Sequence, residues 1–144
     1  MIWAMDRIDI GKLEDGLGAG NETILCLDGH PFSGVACELD ANGSCIAEQT
    51  YKDGVLHGPE TTWHPNGVVA SETDYVNNRI HGLSKEWYES GQPMLEGAFE
   101  HSFAVWRKQW DEAGNLIEDY RVDRVPEDLE RLEMDRRILR PLAE

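Results

Sequence analysis

Residues 51–67 read YKDGVLHGPETTWHPNG and residues 75–91 read YVNNRIHGLSKEWYESG, one pattern written twice at an offset of 24. A fixed period of this size marks an array in which each copy of a small unit covers its neighbour's apolar face. Extending the offset in both directions aligns Leu27, Tyr51, Tyr75 and Phe99, then Phe32, Leu56, Ile80 and Ala104, then Gly34, Gly58 and Gly82, with Trp106 in the fourth place. Leu39, Trp63 and Trp87 align too, as do Gly43, Gly67 and Gly91, which continue to Gly114 after one deleted residue. Five residues beyond each of these last glycines stands an acid: Glu48, Glu72, Glu96 and Asp119. The chain therefore carries four units.

Each unit has a glycine where a segment begins, a run of mixed aromatic and polar residues, a tight turn and a second run ending in an aromatic. The turns are Asn42-Gly43, Asn66-Gly67, Ser90-Gly91 and Ala113-Gly114. Turn chemistry between two such runs predicts a β-hairpin. Further turns through KDG, VNN and EHS join one hairpin to the next, so the predicted fold is mainly β, an elongated antiparallel meander. A lone hairpin is marginal in water, which is the physical reason for repetition.

Beyond the array, VPEDLERLEMDRRILRP (residues 125–141) predicts a capping α-helix. Pro126 suits its first turn, Glu127, Asp128 and Glu130 suit its positive end, and Arg136, Arg137 and Arg140 suit its negative end before Pro141 stops it. Leu129, Leu132, Arg136 and Leu139 share one side. The expected organisation is a segment over 1–26, repeats over 27–122 and a helix over 123–144. In the first segment MIWAMDRIDI reads as a short strand or helix with Ile2, Trp3, Ile8 and Ile10 inward, and EDGLGAGN as a flexible link.

Composition narrows the partners. With 144 residues the chain is about one domain, and 28 acidic against 13 basic side chains give a formal charge of −15. Such a surface repels phosphate backbones and anionic headgroups and attracts basic proteins. Nucleic acid is excluded as a partner on this basis, and membrane binding is disfavoured. Cys26, Cys37 and Cys45 form no CxxC pair and no metal-ligand pattern, so they are expected to be free thiols in a reducing compartment. The amino-terminal residues lack a signal-peptide pattern and no apolar run reaches bilayer length, so the expected location is cytoplasmic.

No catalytic set is legible. His57 and His81 occupy equivalent places before a required glycine, GLGAG lacks the Lys-Ser/Thr of a phosphate loop, and no Ser or Cys stands in a nucleophile elbow. No enzyme activity, cofactor or metal is expected.

Side-chain alternation adds a surface expectation. Glu72 and Tyr75 lie three apart, as do Glu48 and Tyr51, and Glu96 and Phe99, so each pair faces opposite ways. One face is expected to be aromatic, with Trp63, Trp87, Tyr51, Tyr75, Phe99 and Trp110. The other is expected to carry Glu48, Glu72, Glu96 and Asp119 as a column of like charges.

The pattern Y-x-x-G/N-x-x-H-G-x(4)-W-x-x-N/S-G-x(4)-E-x-x-Y resembles the MORN-type repeat, in the variant form of bacterial antitoxin and immunity proteins. It covers residues 27–122 and is clearest over 51–99; Leu39 in the tryptophan column and Trp106 in a glycine column are its departures. The resemblance implies a binding module that neutralises a cognate toxin by direct occlusion, the toxin having a basic surface. Glu48, Glu72, Glu96, Asp119, Trp87, Tyr88 and Trp106 are its expected contacts. A structural scaffold or a membrane-associated MORN protein is the alternative.

Overall fold

The computed structural model describes residues 7–143, with side chains through residue 138. Twelve strands form among the described residues: β1 (Ile8–Asp9), β2 (Glu14–Leu17), β3 (Thr23–Leu27), β4 (His30–Pro31), β5 (Gly34–Leu39), β6 (Cys45–Lys52), β7 (Val55–Trp63), β8 (Val69–Val76), β9 (Arg79–Trp87), β10 (Pro93–Glu100), β11 (Phe103–Trp110) and β12 (Leu116–Arg121). One helix, α1 (Pro126–Ala143), closes the chain. A nine-stranded sheet has the order β1-β5-β6-β7-β8-β9-β10-β11-β12, and β2-β3-β4 form a smaller sheet. From β5 to β12 every pairing is antiparallel between chain neighbours, which is the meander that the period requires. Leu27, counted in the first unit, lies in the smaller sheet, so that unit is divided between the two.

Two kinds of turn alternate along the array. Asp53-Gly54, Asn77-Asn78 and His101-Ser102 are two-residue connections with positive φ at both positions, the type I′ geometry whose twist matches the flanking strands. The second amide of each reaches back one unit: Gly54 N–H donates to Phe32 O at 2.7 Å, Asn78 to Leu56 O at 2.9 Å and Ser102 to Ile80 O at 2.7 Å. At the opposite end the Gly43, Gly67, Gly91 and Gly114 turns close around a glycine with positive φ. There His64 Nε2 lies 2.7 Å from Trp87 O, and the Tyr88 hydroxyl donates to Trp110 O at 3.0 Å. In the outer units Asp40 and Asp111 hold the equivalent place and accept amides of their own turns instead. Successive hairpins are thus tied at both ends as well as along the sheet.

The core is uneven. Phe32, Ala36 and Tyr51 form its buried centre, with Ile8, Ile10, Leu13, Leu25, Leu27 and Leu56 packed around them. The amino-terminal segment therefore covers one face of the sheet at β5–β7. It does so partly through a strand where a flexible link was expected: Glu14–Leu17 pairs with Thr23–Cys26. The expectations for Ile2 and Trp3 fall outside the described residues. At the other end α1 runs from Tyr120, on that same face of β12, to Phe103 and Glu100 beside the turn between β10 and β11. Tyr120 shares that face with Arg107 and donates to Asp128, Arg131 sits 5.3 Å from the centre of the Phe103 ring, and Arg136 forks onto Glu100 at 2.7 and 2.8 Å. The guanidinium of Arg136 holds the Glu100 carboxyl below its ordinary pKa. Pro141 does not stop α1, which runs to Ala143. In a last turn, the N–H that proline lacks removes a single bond near an end that closes anyway.

The thiol expectation is corrected. Cys37 and Cys45 form a disulfide between β5 and β6, their Cα atoms 5.9 Å apart, and only Cys26 is a free, buried thiol. The hairpin turn between them brings together two residues that no short motif links. Thiol titration of the denatured, unreduced protein should count one reactive thiol; a count of three would remove the bridge.

Candidate functional site

The face opposite the amino-terminal segment collects most of the expected contact residues. Cross-strand register places Cys37, Glu48, Thr61, Glu72, Lys85, Glu96, Lys108 and Asp119 in a single row from β5 to β12. Residues in register share a face, and so do residues two apart on a strand. Trp63, Trp87 and Trp110 stand two residues beyond Thr61, Lys85 and Lys108, so they flank this row on its own side. On the other flank Leu83, Ala98, Trp106 and Arg121 are in register. Tyr88 lies just past β9, where its hydroxyl ties two turns together.

Two expectations change. The tryptophans do not oppose the carboxylates but share their face; the aromatics that do oppose them are Tyr51, Tyr75 and Phe99. Nor is the carboxylate column uniform in sign. Equivalent positions are two strands apart, as expected, yet the strands between them bring Lys85 and Lys108 into line. Across β8 to β12 the row therefore reads Glu72, Lys85, Glu96, Lys108, Asp119, alternating in charge, with Lys85 Nζ 3.8 Å from Glu96. Glu48 is paired with Arg7 at 2.6 Å, and Asp119 lies 3.9 Å from Arg124.

The signal for these cations was in the period. Lys85 and Lys108 each stand two residues before a tryptophan, in KEW and KQW.

The opposite face offers fewer free groups. Its centre is polar and internally satisfied: the Tyr51 hydroxyl donates to Gln49 at 2.8 Å, Gln49 donates to Glu60 at 2.6 Å, and the buried Thr73 and Ser84 hydroxyls meet at 3.1 Å. Burial, and then the Glu60 charge, raise the hydroxyl pKa of both Tyr51 and Tyr75. Groups so engaged offer little to a partner.

On the tryptophan face an open groove of about 380 Å³ runs over β7–β9, lined in part by Pro59, Thr61, Glu72, Asp74, Leu83 and Lys85. Leu83 is 48% exposed there, and Glu72 and Asp74 are exposed carboxylates with no ion pair among the described residues. Sequence reasoning named Glu72 but not Asp74 or Leu83, which enter only through the register of β8 with β7 and of β9 with β10. His81 stacks near His101, ring centres 4.8 Å apart, and no cluster that could hold a metal ion occurs among the described residues.

Comparison with known proteins finds relatives of the repeat. The MORN repeat variant model matches residues 56–77 and 80–101, two successive hairpin units. Immunity protein YwqK of Bacillus subtilis (strain 168) is 47% identical over 96 residues, 67% of this chain and 62% of that protein. The match thus spans less than two thirds of the relative's own length. No solved structure matches the chain. With its period, its tied hairpins and these matches, the chain carries MORN-variant repeats over residues 56–101 and is similar to an immunity protein over 96 residues.

Proposed function

We propose that the protein is a non-enzymatic, immunity-type module that neutralises a cognate toxin by binding it directly, and that the tryptophan face is where the toxin docks. The observation that carries this reading is the surface itself. The amino-terminal segment packs mainly on the other side, reaching this face through Arg7 at Glu48, and α1 is tied to Tyr120 and to the β10–β11 turn, which leaves tryptophans, the exposed Leu83 and the unpaired Glu72 and Asp74 together over β7–β9. Aromatic anchors flanked by charge are the usual composition of a protein-binding hot spot. The acids Glu72 and Asp74 suit a basic toxin surface, in keeping with the chain's charge of −15.

The test is co-expression with the reading frame beside the gene. That frame alone should arrest growth and the pair should restore it. Replacing Trp63 and Trp87 together by alanine should weaken the complex by about 2–4 kcal/mol, a loss of some 30- to 1,000-fold, since truncated aromatic anchors cost this much at interfaces. The variant's melting temperature separates lost binding from lost folding. Absence of both rescue and a co-purifying complex would reject the proposal.

A further inference from the structure

The structure assigns a second docking surface, independent of the tryptophan face: the outer edge of β12, which accepts an extended segment of another protein carrying Lys or Arg two residues before a bulky apolar side chain. The sheet's topology supplies the vacancy. In the array, β6, β8 and β10 are each covered by the first strand of the next hairpin, whereas β12 is last in the order and pairs only with β11. At the far end of the sheet β5 is covered by β1. The helix leaves β12 uncovered, because from Tyr120 its anchors lead back to Phe103 on β11 and Glu100 on β10 rather than outward along the edge. Leu116 and Ile117 on this strand remain 51% and 62% exposed. An open edge presents a row of backbone donors and acceptors that an extended chain can pair with.

Charge selects the occupant. The row Glu72, Lys85, Glu96, Lys108, Asp119 changes sign at every strand and ends on an acid at the open edge. A strand added there brings its side chain into register with Asp119, whose cationic neighbour beyond β11 is the exposed Arg124 at 3.9 Å, and a cation at that position continues the alternation. Two residues further on, the strands that cover β8 and β10 place Trp87 and Trp110; at β12 the corresponding neighbour is the exposed Leu116. The chain's own β9 and β11, ending KEW and KQW, show the pattern that fits. A second copy is a poor donor, since β9 and β11 have both edges occupied and its own β12 carries two acids against one arginine. The acids along the edge also deter indiscriminate pairing, which restricts this site to basic segments.

The nine-residue peptide RIHGLSKEW, the sequence of β9, is the probe. Titrated into the isotope-labelled protein, it should shift the amides of residues 116–121 and slow their hydrogen exchange. A peptide with the Lys85→Glu change should bind at least tenfold more weakly, and the Asp119→Lys protein should reverse that preference. Asp119 is exposed, so this variant keeps its fold. The Trp63→Ala, Trp87→Ala protein should bind the peptide unchanged, which separates this edge from the toxin-docking proposal. The assignment is overturned by an absence of shifts at millimolar peptide, by shifts on the tryptophan face, by equal binding of a scrambled peptide, or by a dimer of the protein in sedimentation.

Discussion

Replacing Gly54 by alanine should destabilise the protein by about 3 kcal/mol, while the same change at Gly67 should cost about 1 kcal/mol. Both glycines have a positive φ, +84° and +87°, which an L side chain adopts only at a cost of roughly 1–2 kcal/mol. They differ in what a Cβ would meet. At Gly67 nothing lies within 4 Å, whereas at Gly54 it would stand 2.7 Å from both Ile24 Cβ and Leu25 O. Gly54 sits in the turn that receives the amino-terminal segment: its carbonyl accepts Leu25 N–H at 2.9 Å while its own N–H donates to Phe32 O. Added volume there must push β3 off the array, at an overpacking cost of about 1–3 kcal/mol beyond the backbone term. At about 2–4 °C per kcal/mol for a chain of this size, melting temperatures should fall by roughly 9 and 3 °C. Equal losses at the two sites would show that β3 is not seated on this turn.

Gly54 also illustrates what the sequence discloses and what it withholds. Its turn, KDG, is legible because a two-residue connection needs left-handed backbone and only a few residues tolerate it. The same local chemistry makes the hairpins, their number and α1 legible. The identity of the neighbour that crowds Gly54 is not local; it depends on how residues 8–26, which carry no period, fold over the sheet. The assignment of faces failed for a related reason. Within one strand, alternation correctly sets Glu72 against Tyr75. Relating Trp63 to Glu72 requires the register between β7 and β8, where Thr61 faces Glu72, and a slip of one residue reverses the answer. Bulges near Trp63, Trp87 and Trp110 lie beside those positions and leave no trace in the period. The candidate contacts were thus found residue by residue, while their convergence on one surface, with Lys85 and Lys108 between them, emerged only from the pairing.

The second large effect belongs to Leu132. It is the one large side chain wholly removed from solvent among the described residues, and it lies on α1 midway between Asp128 and Arg136. Residues four apart stack on one side of a helix, so the stripe that holds α1 to the sheet has polar contacts at both ends, with Tyr120 and Glu100, and Leu132 at its centre. The ends contribute little: a partly exposed ion pair such as Arg136–Glu100 supplies about 0–1 kcal/mol. The centre carries the attachment, and Leu132→Ala should cost about 3 kcal/mol by loss of burial and the cavity left behind. Met134, 62% exposed on the opposite side, should tolerate alanine within about 0.5 kcal/mol. Urea denaturation of the two variants measures the difference, and amide exchange locates it. In Leu132→Ala the amides of α1 should exchange faster than those of β7–β9, because a helix held by one buried side chain opens before the sheet does. Matching stabilities for the two variants would mean that the stripe through Leu132 is not what docks the helix, and that its polar ends suffice.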